Sequence, residues 1–408
     1  MICMLSTTST KRKVIFLLID GMGSLPVKNG KTEWELTPTP HLDKLMQNGV
    51  YGLMHPIGIG ITPGSDTSQL NILGYPPEKY YPGRGPLEAL GIGIQLEDGD
   101  VAFRANFATV GKGLVVKDRR AGRIRTEDAH ALARGISYMK IDGFEFFFRA
   151  SVEHRGAVVV RRKGGIPKNI SIGDTDPHKE GVPVMLKKDN ALARAIAKYT
   201  LKTHEILSKS DINKGKNLPA NALLLRGAGT YKSVEPFEKR FGMKACCVAG
   251  AALYKGIARY LGMHVCNVNG ATGTYKTDFK AKVRAALSHL NEYDFVYLHV
   301  KAMDNAGHDG NVKMRTEIIR KIDGMVGMLS KRQDALLVIT GDHSTPPTKR
   351  EHSFEPVPFL ISNVAARDYG AKKFCEIECS HGELGTITGR DVMRLILSYS
   401  GRSEKYGE

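Results

Sequence analysis

Three apolar segments of the chain each end on residues that can bind a metal ion. The segments KVIFLLID (13–20), FVYLHV (295–300) and ALLVITGD (335–342) are short and rich in β-branched residues. The ends of these segments and the stretches that follow them offer three carboxylates and three imidazoles: Asp20, Asp304, His308, Asp342, His343 and His352. This mixture of ligands suits Mn²⁺ or Zn²⁺ and is too large for one ion that must also bind substrate, so we expect two metal ions.

The second of these positions lies in the stretch VKAMDNAGHDG (300–310), where Asp304 and His308 are four positions apart. Aspartate, asparagine and glycine also end strands as turn residues, and the stretch alone does not separate the two interpretations. The adjacent Asp342 and His343 are more specific, because this pair matches no common turn pattern. Ligands of open parallel sheets bind outside the carboxyl ends of the strands, so we expect the three segment ends to meet at one site.

A serine that could act as a nucleophile lies in ITPGSDTSQLNILGY (61–75). Pro63 and Gly64 predict a turn, and a helix is expected to begin at Ser65. A helix N-terminus favours a phosphate, and a metal ion on the hydroxyl oxygen would favour its ionised form. The alternative is that Ser65 or Asp66 only caps the helix. Two metal ions beside a serine indicate phosphoryl transfer.

The elements that must position these residues alternate between apolar strands and helices. Helices are expected at TPHLDKLMQNG (39–49), KTDFKAKVRAALSHL (276–290) and NVKMRTEIIRKIDGMVGML (311–329). Continuous apolar strands belong to parallel sheets that are covered on both faces. The sequence therefore predicts an α/β fold with a doubly wound, mostly parallel sheet.

The middle of the chain has a different pattern. Residues 79–250 are rich in arginine and contain alternating segments such as VAFRANFATV (101–110). We predict that they form an inserted α+β domain that binds the substrate. This domain would interrupt a discontinuous, phosphatase-like metal-binding domain formed by residues 1–78 and 251–408.

The composition is that of a globular protein. The chain has 408 residues, of which 42% are hydrophobic and 25% charged. No run approaches the roughly 20 apolar residues of a membrane helix, so no membrane association is expected. The N-terminal apolar run is too short for a signal peptide, and we expect a short leader before the first strand. Six cysteines without the spacing of a disulfide framework predict a reduced, cytoplasmic protein.

The formal net charge of +17 leaves two kinds of partner open. A basic surface can bind nucleic acid, and it can equally attract small phosphorylated anions. Basic residues are spread along the chain without a helix-turn-helix or an aromatic RNA-binding motif, so a nucleic-acid partner is not expected.

The sequence resembles the archaeal-type 2,3-bisphosphoglycerate-independent phosphoglycerate mutases of the alkaline phosphatase superfamily. The motifs that carry this resemblance occur in family order along nearly the whole chain: LLIDGMG, TPGSDTSQLNILGY, GRGPLEALGIG, FRANFATV, DRRAGRI, LLLRGAG, NGATGTY, HVKAMDNAGHDG and TGDHSTP. The resemblance implies interconversion of 3-phosphoglycerate and 2-phosphoglycerate in glycolysis and gluconeogenesis, through a phosphoserine and without 2,3-bisphosphoglycerate. It implies Mn²⁺ as the metal, with Mg²⁺, Co²⁺ or Zn²⁺ as alternatives.

The resemblance also divides the ligands between two metal ions. It implies that one ion is held by Asp304, His308 and His352. The other would be held by Asp20, Asp342, His343 and the oxygen of Ser65, which would be the phosphoacceptor.

In this family the inserted domain binds the glycerate, which fits the arginines of the insertion. The candidate acid and base is Asp118 in DRRAGRI, and the alternative for that stretch is a solvated turn. The expected substrate-binding residues are Arg119, Arg123, Arg155, Arg226 and Lys255. The bacterial and plant branch of the wider family uses a histidine in a GGVHSH-like stretch that this chain lacks, and His154 is the candidate replacement.

Two other functions compete with a mutase. A phosphatase, a sulfatase-like hydrolase or a phosphopentomutase could use the same metal-binding core. A basic nucleic-acid-binding protein would instead show binding that weakens steeply with salt and survives chelation.

Overall fold

Three apolar strands pair in parallel at the centre of the larger sheet. The computed structural model describes residues 11–167, 170, 172–405 and 407, so the expected leader, residues 1–10, lies outside the described residues. The strands are β1 (Lys13–Ile19), β2 (Gly49–His55), β3 (Val101–Val110), β4 (Val116–Asp118), β5 (Tyr138–Ile141), β6 (Phe144–Ala150), β7 (Arg155–Arg162), β8 (Ala222–Thr230), β9 (Ala245–Val248), β10 (His264–Val265), β11 (Phe295–Val300), β12 (Ala335–Gly341), β13 (Val357–Ser362) and β14 (Gly385–Thr388).

Helices connect most of these strands, and short 3₁₀ turns cover Lys112–Leu114, Ala121–Arg123 and Asp211–Asn213. The α-helices are α1 (Glu33–Leu36), α2 (Pro40–Met46), α3 (Ser65–Ile72), α4 (Pro77–Tyr80), α5 (Arg84–Gly91), α6 (Thr126–Arg134), α7 (Ala191–Ser208), α8 (Phe237–Phe241), α9 (Ala252–Tyr260), α10 (Phe279–His289), α11 (Ala302–His308), α12 (Val312–Leu329), α13 (Glu376–Ser380) and α14 (Gly389–Tyr399). No helix among the described residues has the length and apolarity to span a membrane.

The chain divides into two compact units. The first unit comprises Met1–Tyr81, Glu235–Tyr254 and Leu261–Glu408, and the second comprises Pro82–Val234 and Lys255–Tyr260. The second boundary differs from the expected one at residues 250 and 251. It lies earlier because β9 pairs in parallel with β11 and so joins the sheet of the first unit.

The sheet of the first unit has the strand order β10-β9-β11-β1-β12-β13-β2-β14. Only β13 among these strands runs against the others, because it pairs antiparallel with both β12 and β2. Every residue of β11 and β12 is buried, as is expected for strands covered on both faces. The predicted mostly parallel α/β sheet is confirmed, and β1, β11 and β12 match the three apolar segments of the sequence.

The apolar faces of α10 and α12 pack against this sheet. Their buried side chains join those of β1, β11 and β12 in one hydrophobic cluster, which includes Val283, Ile319 and Leu337. The helices predicted at 276–290 and 311–329 are therefore confirmed, with ends that differ by a few residues. This packing fixes the carboxyl ends of the strands relative to one another.

The second unit is built on an antiparallel sheet. Its order is β4-β3-β7-β6-β5, and β8 pairs with β3. Helices α6 and α7 share a hydrophobic cluster with one face of this sheet, and Ala89 of α5 packs against Ala102, Ala157 and Val159. The alternating segments of the sequence thus form strands, as predicted.

Candidate active site

The carboxyl ends of β11, β1 and β12 bring the predicted aspartates and histidines together. These three strands are adjacent and parallel, so the residues that follow them lie at one edge of the sheet. Asp20 follows β1, α11 carries Asp304 and His308 after β11, and Asp342 and His343 follow β12. The spacing of four between Asp304 and His308 corresponds to one turn of α11.

Asp304, His308 and His352 form the first candidate metal group. Oδ1 of Asp304 lies 3.3 Å from Nε2 of His308 and 3.5 Å from Nε2 of His352. Each imidazole has its Nδ1 2.9 Å from a backbone carbonyl oxygen, that of Arg350 for His308 and that of Pro63 for His352. An Nδ1–H that donates to a carbonyl leaves Nε2 available, so both rings could bind a metal ion through Nε2.

The second predicted set surrounds Ser65. Oγ of Ser65 lies 3.0 Å from Nε2 of His343, and the same nitrogen lies 3.4 Å from Oδ1 of Asp20 and 3.6 Å from Oδ1 of Asp342. All four side chains are buried. Ser65 is the first residue of α3, whose preceding residue Gly64 supplies no side-chain cap. The structure therefore joins a serine hydroxyl to two carboxylates and an imidazole.

Two further residues contact this set and were not predicted. Nε2 of His299 lies 3.2 Å from Oδ2 of Asp20, and Gln69 donates to Oδ2 of Asp342 at 2.6 Å. Asp20, His299 and Asp342 also form a candidate metal group. His299 was not predicted because it lies within an apolar strand. Its position near the carboxyl end of β11 was the signal in the sequence that it could belong to the site. Gln69 lies one helical turn after Ser65.

Lys301 lies between the two sets of ligands. Its Nζ is 3.3 Å from Oδ1 of Asp20 and 2.5 Å from Oδ2 of Asp304. Burial opposes ionisation of Asp20, but the charge of Lys301 lowers the pKa of Asp20 well below its usual value. Burial likewise opposes ionisation of Asp304, yet hydrogen bonds from His308 and His352 keep its pKa low.

Asp342 and His343, also in the second set, both have raised pKa values. Burial and the charge of Asp20 raise the pKa of Asp342 to about 6. Burial opposes protonation of His343, but the charges of Asp342 and Asp20 raise the pKa of His343 to about 9. Because a metal ion binds only the neutral imidazole, metal binding at His343 would release a proton.

The second unit contains a separate cluster of arginines. Arg119 makes a bidentate contact with the buried Asp176, in which Nη2 lies 2.7 Å from Oδ2 and Nε lies 3.1 Å from Oδ1. Nε of Arg226 lies 4.0 Å from the same carboxylate and is buried. Burial lowers the pKa of Arg226, and the neighbouring Arg119 lowers it further. One carboxylate thus faces two guanidinium groups.

Two arginines that were not singled out in the sequence extend this cluster. Arg104 and Arg84 lie 3.5 and 3.6 Å from the carboxylate of Glu88. Burial lowers the pKa of Arg104 to about 10, and the charges of Arg84, Arg226 and Arg155 act in the same direction. Arg104 lies on β3 and Arg226 on β8, opposite each other in register. For Arg104, the signal in the sequence was an arginine inside the alternating segment VAFRANFATV.

The other predicted residues of the insertion lie in or beside turns. Oδ1 of Asp118 accepts hydrogen bonds from the backbone N–H groups of Arg120 and Gly122. Arg123 follows at a positive φ of 56°. His154 is buried next to the exposed Arg155. Burial and the charges of Arg155 and other arginines lower the pKa of His154 to about 4.

Lys255 is the remaining predicted substrate-binding residue. It lies on α9 and belongs to the second unit.

Comparison with known proteins identifies the family. A family model described as 2,3-bisphosphoglycerate-independent phosphoglycerate mutase matches residues 47–213. A phosphoglycerate mutase of that description from Methanocaldococcus jannaschii is 42% identical and covers 97% of this chain and 99% of its own. Another, from Thermococcus kodakarensis, is 41% identical over the same shares of both chains.

Solved structures agree with this result. A protein from Pyrococcus horikoshii has a TM-score of 0.85 and 35% identity, with 98% of this chain and all of that chain covered. The cofactor-independent phosphoglycerate mutase from Thermoplasma acidophilum has a TM-score of 0.71 and 32% identity, with 96% of this chain and 100% of that chain covered. The chain therefore belongs to the 2,3-bisphosphoglycerate-independent phosphoglycerate mutases, a family of isomerases.

Proposed function

We propose that this chain interconverts 3-phosphoglycerate and 2-phosphoglycerate in glycolysis and gluconeogenesis, with Ser65 as the residue that carries the phosphoryl group. The observation that carries this proposal is the position of the Ser65 hydroxyl, 3.0 Å from Nε2 of His343 within the buried carboxylate and imidazole cluster. A helix cap or a core contact needs no carboxylates around a hydroxyl, so the cluster favours a chemical role for Ser65.

The donor set fits two divalent metal ions. Asp304, His308 and His352 would hold one ion, because both imidazoles present Nε2 to the same carboxylate. Asp20, Asp342, His343 and Ser65 would hold the other, and His299 is an additional candidate ligand of that ion. Carboxylate oxygens with imidazole nitrogens suit Mn²⁺, which we propose as the preferred metal, over Mg²⁺, which prefers oxygen ligands with several waters.

When bound, such ions neutralise the charge of a phosphoryl group and favour the ionised form of a hydroxyl. Ser65 attacks the phosphorus of the substrate, and the substrate oxygen leaves as the phosphoserine forms. The phosphoryl group then returns to the other hydroxyl of the bound glycerate, so that the serine hydroxyl is restored. The position of Ser65 at the start of α3 supports this step, because a helix N-terminus favours negative charge.

We propose that arginines of the second unit bind the substrate. Arg119, Arg123, Arg155 and Arg226 lie in a unit where Arg226 and Arg119 share one buried carboxylate. Guanidinium groups bind carboxylates and phosphates through paired hydrogen bonds, and a cluster of them with few counter-charges favours an anion. We keep Lys255 as a further candidate, and we add Arg84 and Arg104, which share Glu88.

Proton transfer to and from the glycerate oxygens requires an acid and a base. We propose Asp118 for this role, since its Oδ1 is fixed by two backbone N–H groups in the arginine-rich unit. His154 suits the role less well, because burial and neighbouring arginines lower its pKa to about 4 and keep it neutral near pH 7.

The buried cysteines in the described part of the chain favour a reducing compartment. Cys246, Cys247, Cys266, Cys375 and Cys379 are all buried and form no disulfide. Cysteines without disulfides are typical of the cytoplasm, where we propose that the enzyme acts.

The test is an assay with 3-phosphoglycerate and Mn²⁺, coupled to enolase, without 2,3-bisphosphoglycerate. We expect formation of 2-phosphoglycerate that EDTA abolishes and that added Mn²⁺ restores. Release of free phosphate in place of 2-phosphoglycerate would instead identify a phosphatase on the same metal-binding core. Turnover of a phosphopentose in place of phosphoglycerate would identify a phosphopentomutase.

A further inference from the structure

Arg315 is a fully buried arginine that contacts the loops of the metal site without being a candidate ligand. It lies on α12, and its side chain belongs to the first unit. We propose that Arg315 is a positioning residue for this site, which fixes the backbone of the three segments that carry the ligands: the loops after β1 and β12 and the start of α11. The inference rests on the proposed two-metal function and adds a residue that the ligand set does not include.

The guanidinium of Arg315 donates hydrogen bonds to at least one carbonyl in each of the three segments that carry the ligands. Nη1 lies 3.1 Å from the carbonyl oxygen of Gly21, 3.3 Å from that of Met303 and 3.0 Å from that of Thr345, so its two N–H bonds are shared among three acceptors. Gly21 directly follows Asp20, and Met303 directly precedes Asp304. A single nitrogen thus joins the segments after β1, β11 and β12.

The second terminal nitrogen strengthens the contact with the loop after β1. Nη2 donates to the carbonyl oxygens of Met22 at 3.2 Å and Gly23 at 3.4 Å. The Met22 carbonyl also accepts a hydrogen bond from Nε1 of Trp34. This loop therefore has a dense set of donors on its carbonyl side, which holds the residue before it, Asp20, in one conformation.

Thr345, in the loop after β12, connects that loop to two of the candidate ligands. Its hydroxyl donates to Oδ1 of Asp304 at 2.9 Å and lies 3.0 Å from Nδ1 of His343. Because Arg315 holds the carbonyl of Thr345, it fixes the residue that contacts one ligand from each metal set. Movement of this carbonyl would displace both ligands.

The three ligand-bearing segments also approach one another closely at glycines. A Cβ atom on Gly21, which has a positive φ of 68°, would lie 2.7 Å from Cα of Asp304. A Cβ atom on Gly307 would lie 2.2 Å from the carbonyl oxygen of Thr345. Such close backbone packing leaves carbonyl groups without room for water, so a buried donor must satisfy them.

Glu33 neutralises the charge of Arg315. Nε of Arg315 lies 2.7 Å from Oε1 of Glu33, and both side chains are buried. Ser24 donates to the other carboxylate oxygen of Glu33, in the loop that follows β1. The pair is thus connected to the ligand-bearing loop at both of its ends.

Only arginine has the donors for this arrangement. Its planar group presents five N–H bonds in a fixed fork, whereas a lysine ammonium has three donors at one point. The sequence contained a signal for the burial of this arginine, because Arg315 lies three and four positions before the buried Ile318 and Ile319 and so falls on the apolar face of α12.

The experiment measures Mn²⁺ binding to the full-length protein by calorimetry or by the electron paramagnetic resonance signal of free Mn²⁺. The variants are Arg315→Lys, Arg315→Met and, as a matched control, Leu329→Ala on the same helix. Leu329 is fully buried in the apolar core, and its truncation costs about 2–5 kcal/mol of stability without touching the loops. We expect both Arg315 variants to bind Mn²⁺ at least about tenfold more weakly than wild type. We expect Leu329→Ala to keep the wild-type affinity at a temperature where it is folded.

Wild-type affinity in a folded Arg315→Lys or Arg315→Met variant would overturn the inference. An equal loss of affinity in Leu329→Ala would also overturn it, because the effect would then follow stability alone. If neither Arg315 variant folds, Glu33→Gln decides the question: weaker Mn²⁺ binding supports the inference and unchanged binding overturns it. Absence of Mn²⁺ binding by the wild-type protein would instead refute the proposed two-metal function.

Discussion

Two buried histidines, one in each unit, lie in opposite charge environments. His343 lies among carboxylates of the first unit, and its pKa is raised to about 9 although burial acts to lower it. His154 lies among arginines of the second unit, and burial and their charges lower its pKa to about 4. Because both side chains are buried, the sign of the neighbouring charges, and not burial, distinguishes the two.

The comparison shows how the two units differ in the ions they attract. The first gathers three buried carboxylates, which need cations, and the second gathers guanidinium groups that share the carboxylates of Asp176 and Glu88. Guanidinium groups bind phosphates and carboxylates, whereas buried carboxylates favour bound cations. We therefore expect the first unit to control the chemical step and the second to control substrate affinity.

The strongest test of this division is Ser65→Ala. We expect a loss of at least about 10⁴-fold in kcat, because removal of a nucleophile leaves only binding and electrostatic effects. The enolase-coupled assay measures it. Ser68→Ala is the matched control, since this buried hydroxyl lies on the same helix and donates only to backbone carbonyls. Full activity in Ser65→Ala would exclude the covalent route.

Arg226→Met tests the second unit. We expect kcat/KM to fall about 100-fold, mostly through KM, because a charge-assisted bidentate contact contributes on the order of 3 kcal/mol. Steady-state kinetics with 3-phosphoglycerate measures the change. The control is Arg149→Met, an exposed arginine of the same unit that donates to the carbonyls of Ile92 and Gly93. A fall in kcat alone would contradict a role in binding.

Asp176→Asn should have a smaller effect. Asp176 fixes Arg119 through two hydrogen bonds, so its replacement would leave that guanidinium free to move. We expect a several-fold increase in KM and a loss of about 1–3 kcal/mol in the free energy of unfolding, followed in urea. The exposed pair of Asp142 and Lys198 provides a control, and Asp142→Asn should change stability by less than about 1 kcal/mol. Equal effects of the two substitutions would show that Arg119 is not held by Asp176.

The smallest expected effect concerns His154 and pH. Its pKa in the folded protein is below the unfolded value, so the folded state favours the neutral ring. Stability from this group is therefore complete above about pH 6.5 and is lost as the pH falls toward 4. Between pH 7 and pH 5, the free energy of unfolding measured in urea should decrease less for His154→Gln than for wild type. Replacement of the exposed His130 by glutamine serves as the control. A decrease in His154→Gln as large as that in wild type would contradict the lowered pKa of His154.

The sequence predicted the first unit better than the second, for a physical reason. Strands of a parallel sheet end at one edge, so Asp20, Asp304 and Asp342 could be grouped from the chain alone. His299 was missed because a histidine within an apolar strand resembles a core residue. Arg315 was missed because its partners are backbone carbonyl groups. Every residue has a carbonyl group, so no sequence motif indicates such contacts.

In the second unit, no comparable rule predicts from the sequence which residues lie together. Neighbours in an antiparallel sheet depend on register and on turn geometry, so the pairing of Arg104 with Arg226 was not visible before the fold was known. Asp176, which fixes Arg119, lies 57 positions away along the chain. The second boundary was hard to locate from the sequence for a related reason, since β9 is only four residues long and its membership of the sheet follows from its pairing with β11.

The order of the strands has a consequence for synthesis of the chain. The central strand β1 emerges first, but both of its partners, β11 and β12, lie about 280 and 320 residues later. Most of the second unit, Pro82–Val234, is continuous and can fold as soon as it has left the ribosome. We therefore expect the second unit to fold first, before β1 can pair with β11 and β12. Pairings over such long separations close slowly, so the nascent chain should depend on chaperones between the two events.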